Sequence, residues 1–68
     1  MTRREATIAG LLRESPMSLH ELAYRLGLRQ NYVRWRVDMM RKNGIVHVVR
    51  RLRVPGMDGA GCNVWGIA

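Results

Sequence analysis

Ser18-Leu19-His20-Glu21-Leu22-Ala23-Tyr24-Arg25-Leu26-Gly27-Leu28-Arg29-Gln30-Asn31-Tyr32-Val33-Arg34-Trp35-Arg36-Val37 reads as two short helices on either side of a glycine turn. Ser18 followed by Glu21 has capping-box spacing. Leu19, Leu22, Ala23 and Leu26 then form one apolar stripe over two turns, so a helix over about Leu19 to Leu26 is predicted. Gly27 can adopt the left-handed conformation that stops this helix, and Leu28 can fold back over its end. From about Gln30 the period resumes with Val33, Val37 and Met40, until Asn43-Gly44 supplies a second glycine stop.

Upstream, Thr2 and Glu5 have capping-box spacing, and Ile8, Leu11 and Leu12 recur at helical intervals, which predicts a first helix over about Arg3 to Arg13. Ser15-Pro16 ends it. Downstream of Gly44 the period shortens. Ile45-Val46-His47-Val48-Val49 is β-branched and predicts a strand that Arg50 to Arg53 can extend. Residues 54 to 61 carry three glycines and a proline, which marks a turn region, and Asn63-Val64-Trp65-Gly66-Ile67 predicts a closing strand. The expected fold is therefore α+β, three helices followed by a two-stranded β-hairpin, in one domain spanning 1–68 without repeats or a linker. At 68 residues a single core only marginally offsets the entropy of folding.

The formal charge is +7, from twelve Lys and Arg against five Asp and Glu, and eleven of the twelve are Arg. That bias favours planar, bidentate donors over point charges. Residues 1–28 hold four basic and three acidic groups, a net of +1; residues 29–68 hold eight basic groups against Asp38 and Asp58, a net of +6. The positive field is thus expected on the third helix and the strands beyond it. Cys62 is the only cysteine, which excludes an internal disulfide framework and fits a reducing compartment. Arginines interrupt every apolar run well short of the roughly 20 residues of a membrane span. The sequence therefore predicts a soluble cytoplasmic protein with no membrane partner.

On a helical wheel Val33, Val37 and Met40 occupy a narrow sector, with Gln30 and Arg36 at its edges. Asn31, Arg34, Trp35, Asp38 and Lys42 fall on the far side, and Tyr32 and Met39 on a shoulder. Such a set combines groups that read base edges with groups that reach phosphates: Asn pairs bidentately with adenine, Arg with guanine, and Tyr bonds a phosphate.

These residues resemble the winged helix-turn-helix DNA-binding domains of bacterial and phage regulators of the MarR, ArsR and GntR kinds, over nearly the whole chain. Ser18 to Val37 looks like their helix-turn-helix, with Ala23 at the close helix contact and Gly27 at the turn. Lys42-Asn43-Gly44-Ile45-Val46 resembles the end of the recognition helix and entry to the wing. Val64-Trp65-Gly66-Ile67 resembles the ending of the last wing strand, whose aromatic packs under the helices. The resemblance implies that Gln30, Asn31, Tyr32, Arg34 and Trp35 lie at the groove-facing part of the recognition helix, and that Arg50, Arg51 and Arg53 lie on a wing that reaches phosphates or a minor groove. Arg29, Arg36 and Lys42 complete the candidate DNA-binding set. Three departures stand out. Arg29 replaces the usual Ser or Thr cap, so the third helix is expected to begin differently or to use Asn31 as its cap. Arg36 sits where many relatives are apolar, and its charge must escape at the edge of the core. Trp35 is bulky for a groove-facing site.

The function expected is sequence-specific binding of double-stranded DNA by a small, nucleoid-associated transcriptional regulator, with a homodimer matching paired half-sites. The same surfaces would suit an excision or architectural factor that bends DNA. The alternative from another class is a protein-interaction module, a phage-type inhibitor or adaptor that docks Trp35, Tyr32, Met39 and the arginines on an acidic partner. No enzyme, metal or cofactor is expected: His20 and His47 lie in different elements, Cys62 lies in or beside the turn region, and no pair has metal or nucleophile spacing. The glycines at 56, 59 and 61 are not followed by the Lys-Ser/Thr of a phosphate loop.

Overall fold

The computed structural model describes residues 2–53 and 61–68. Three helices and a small antiparallel sheet make an α+β fold in the order α1 (Arg3–Glu14), β1 (Met17–Ser18), α2 (Leu19–Leu26), α3 (Gln30–Lys42), β2 (Val46–Arg53) and β3 (Gly61–Ile67). The turn region expected at 54–61 falls on residues outside the described ones, except Gly61, which opens β3.

The local signals explain the helix ends. At α1 the capping box is complete: the Glu5 amide donates to Thr2 Oγ1 at 3.2 Å and the Thr2 amide to Glu5 Oε1 at 3.0 Å. At α2 only half of the expected box forms. The Glu21 amide donates to Ser18 Oγ at 3.2 Å, but the Glu21 carboxylate turns along the helix to Arg25 at 3.5 Å. Gly27 takes φ +65°, and the Leu28 amide reaches back to the Ala23 carbonyl at 3.0 Å, closing the helix with Leu28 packed on the core. The end of α3 repeats this device: Gly44 has φ +74°, its amide bonds Arg41 O, and the Ile45 amide bonds Met40 O at 2.9 Å.

The core is built by all three helices and the sheet. Ile8 and Leu12 of α1, Leu22 of α2 and Val33, Val37 and Met40 of α3 are buried together with Met17, Val46 and Trp65. Each such side chain removed from water contributes roughly 1.5–3 kcal/mol, so the three wheel positions of α3 alone anchor that helix firmly. Trp65 lies under the helices, 8% exposed.

The sheet corrects the expected two-stranded hairpin. It has three strands in the order β1-β3-β2, because Met17 and Ser18 pair with Trp65 and Val64 along the other edge of β3. Pro16 cannot continue a helix, and Ser18 must be extended to cap α2, so the chain between α1 and α2 already has strand geometry as it passes β3. On the other side β2 pairs with β3 from Val46↔Ile67 to Arg53↔Gly61, with a bulge between Val48 and Arg50. The extra residue, Val49, lies against Gly66: a β-carbon built there would meet Val49 Cγ1 at 2.8 Å. No described helix is long and apolar enough to cross a membrane.

Candidate nucleic-acid interface

With Val33, Val37 and Met40 fully buried, α3 must turn its opposite side outward. Gln30, Asn31, Arg34 and Trp35 are exposed there. All four line one open groove of about 890 Å³, together with Asp38 and Arg41 of the same helix, Ser18 to His20 at the start of α2, and Cys62, Asn63 and Trp65 of β3. At thirteen residues α3 is about 20 Å long.

The start of α3 is unusual. Arg29 is the N-cap, in extended conformation, and makes no side-chain cap bond; the helix begins at Gln30, so Asn31 does not serve as the cap. A cation where an acceptor normally sits leaves the first amides of α3 without a side-chain partner and opposes the helix dipole. Both features favour an anion at this end.

The remaining candidate residues divide. Tyr32 and Arg36 are half-buried and turn to the flank of α3 away from the groove. Arg36 Nε donates to the Tyr32 hydroxyl at 3.1 Å, and the Arg36 guanidinium stacks over the Trp35 ring at 4.8 Å and the Tyr32 ring at 5.6 Å. Its charge escapes the core edge as expected, onto aromatic faces. The Arg4 guanidinium of α1 lies 5.9 Å from the centre of the Tyr32 ring, and a smaller pocket there is lined by Thr2, Arg3, Arg4, Thr7 and Arg36.

Lys42 Nζ lies 3.4 Å from Asp38 Oδ2, and Arg41 Nη2 donates to Asp38 Oδ1 at 3.1 Å. These bonds, that from Arg41 first, hold the Asp38 carboxyl below its ordinary value. The carboxylate thus keeps two of the cations of α3 internally paired. At Glu5 the bond from the Thr2 amide is the main cause of a lowered value, assisted by the Thr2 hydroxyl and the Arg36 charge and opposed by burial.

On the sheet, Arg50 and Arg51 are exposed but do not act side by side. Arg51 pairs with Asn63 and so shares its face, the face that also carries Trp65; Arg50 pairs with Val64 on the opposite face. The bulge at Val49 sets this phase, since one extra residue exchanges the faces of everything beyond it. Arg53 pairs with Gly61 through its backbone, and its side chain lies outside the described part.

Sequence reasoning missed Arg41, Asp38 as a counter-charge, and Arg3 and Arg4. Asp38, Arg41 and Lys42 are spaced for helical ion pairs, a local signal. No local signal brings α1 to the flank of α3. His20 and His47 are exposed in separate elements, Cys62 is exposed in β3, and among the described residues no group of His, Cys, Asp and Glu could hold a metal. Neither a protein-family model nor a curated protein matches the chain.

Proposed function

We propose that the chain binds double-stranded DNA as a winged helix-turn-helix domain, with α3 in the major groove and the β2–β3 pair as the wing. The observation that carries this reading is the placement of Asn31 and Arg34, base-reading side chains, exposed on a helix whose other side is locked into the core. Three further features support it. The helix starts without a side-chain cap beside Arg29. Arg51 lies on the sheet face that borders the same groove. Among the described residues Arg29, Arg34, Arg50 and Arg51 have no acidic partner, so their charge is available to phosphates.

The role that fits is a small transcriptional regulator acting at the nucleoid, with two copies on paired half-sites supplying specificity that one short helix cannot. A second reading rests on Trp35 and Met39, which are 54% and 36% exposed on α3 and would suit an apolar contact with an acidic protein. Selection of bound sequences from a random duplex pool at two salt concentrations separates the two. An enriched sequence supports DNA reading, and a palindromic one supports the dimer. A pool that is never retained, even at low salt, removes the DNA reading in favour of the protein partner.

A further inference from the structure

Trp35 is large, apolar and half-exposed at the outward crest of α3, yet it is not loose. One face of its ring is covered by the Arg36 guanidinium at 4.8 Å, and that guanidinium is itself fixed by the Tyr32 hydroxyl at 3.1 Å. The Tyr32 ring, which the same guanidinium also faces at 5.6 Å, stands 6.5 Å from that of Trp35 and is tilted at 44° to it. A side chain held in this way presents a preorganised apolar surface rather than a mobile one, at little further entropic cost on binding. Met39, one turn further on, extends the apolar surface, and Asn31 lies one turn before. Asn31 and Trp35 both border the groove.

The apolar group that a duplex displays in its major groove is the C5-methyl of thymine, and the natural bidentate partner of Asn is adenine. Four residues of helix advance about 6 Å, against about 3.4 Å per base pair, so Asn31 and Trp35 address positions within two base pairs of each other. We infer that Trp35 is a specificity-determining residue that reads a thymine methyl, next to an adenine read by Asn31, so that the half-site contains A·T pairs at both positions. This inference rests on the proposed DNA binding by α3.

The test uses the full chain and a duplex taken from the selected pool, with fluorescence anisotropy as the readout. Each thymine of the half-site is replaced in turn by uracil, which removes the methyl and leaves base pairing intact. The expected result is a loss of about fourfold in affinity at one position, the effect of withdrawing one methyl from an apolar contact. In Trp35→Ala the same replacement has no effect, whereas in Asn31→Ala it retains its effect. Because each variant is compared on two duplexes that differ by one methyl, the readout is a ratio of two measured affinities, taken on variants that still bind the unmodified duplex. A half-site without A·T pairs overturns the inference, as do unchanged affinities for every uracil duplex, or a thymine preference that survives Trp35→Ala. In those cases the duplex is still bound and the DNA reading stands. Absence of any duplex binding overturns the DNA reading itself.

Discussion

Asp38→Asn should tighten duplex binding. Asp38 holds Arg41 at 3.1 Å and Lys42 at 3.4 Å, so two cations of the proposed recognition helix are neutralised within the protein. Amide substitution keeps the shape and removes the charge. Each additional phosphate neutralised by the protein steepens the dependence of log K on log salt by about 0.9, which at roughly 0.1 M salt corresponds to about an eightfold rise in affinity. If one released cation reaches the backbone, affinity at that salt should rise about eightfold; if both do, the slope should steepen by about 1.8. Anisotropy titrations of wild type and variant over a series of potassium chloride concentrations measure both quantities. Because all three side chains are 44–60% exposed, the melting temperature should move little, which serves as the control. Equal affinity with parallel salt plots would refute the view of Asp38 as a counter-charge to a DNA-binding surface. Weaker binding would refute it in another way, by showing that the carboxylate itself accepts a bond from a base such as cytosine.

Other expectations concern the frame that carries this surface. Gly27→Ala places a β-carbon on a residue at φ +65° with nothing within 4 Å, so the cost is backbone strain alone, about 1–2 kcal/mol. Thermal melts should show a loss of several degrees, and Gly27→Asn should recover part of it. Gly66→Ala drives a β-carbon to 2.8 Å from Val49 Cγ1 and should cost about 1–3 kcal/mol in urea unfolding, relieved in the double variant with Val49→Ala. An equal loss in the double variant would show that Val49 is not the obstacle. Glu5 is held below its ordinary 4.5 in the folded chain, so its contribution to stability is present above about pH 4.5 and fades as pH falls through the lower folded value. Urea midpoints of Glu5→Gln should therefore fall less steeply than those of wild type below that pH.

The parts of the fold legible in the sequence were local ones. The Thr2–Glu5 box, the glycines at 27 and 44 and the Val33, Val37, Met40 stripe act within a few residues, and the three helices arise from them within a residue or so of the expected ends. Strand β1 was not legible, because a two-residue strand has no period and its partners Trp65 and Val64 lie at the far end of the chain. The bulge was hidden for a similar reason: nothing in Val48-Val49-Arg50 fixes which residue is extra until β3 and Gly66 are in place. The site divides in the same way. The wheel put Asn31, Arg34, Trp35 and Asp38 on the far side of α3, and they do share a groove, into which Gln30, expected at the edge of the core sector, also falls. The gathering of Arg4, Tyr32 and Arg36 depends on how α1 crosses α3, and the charge count by segment could not anticipate that two early arginines come to lie beside it.

The salt dependence of duplex affinity tests the central claim most directly. If about four to six arginines each neutralise a phosphate, log K plotted against log salt should fall with a slope of roughly −4 to −5, and Arg34→Ala should flatten it by about 1. A flat plot, or no measurable association with mixed duplex DNA at low salt, would contradict the claim that α3 and its neighbouring strand form a DNA-binding surface.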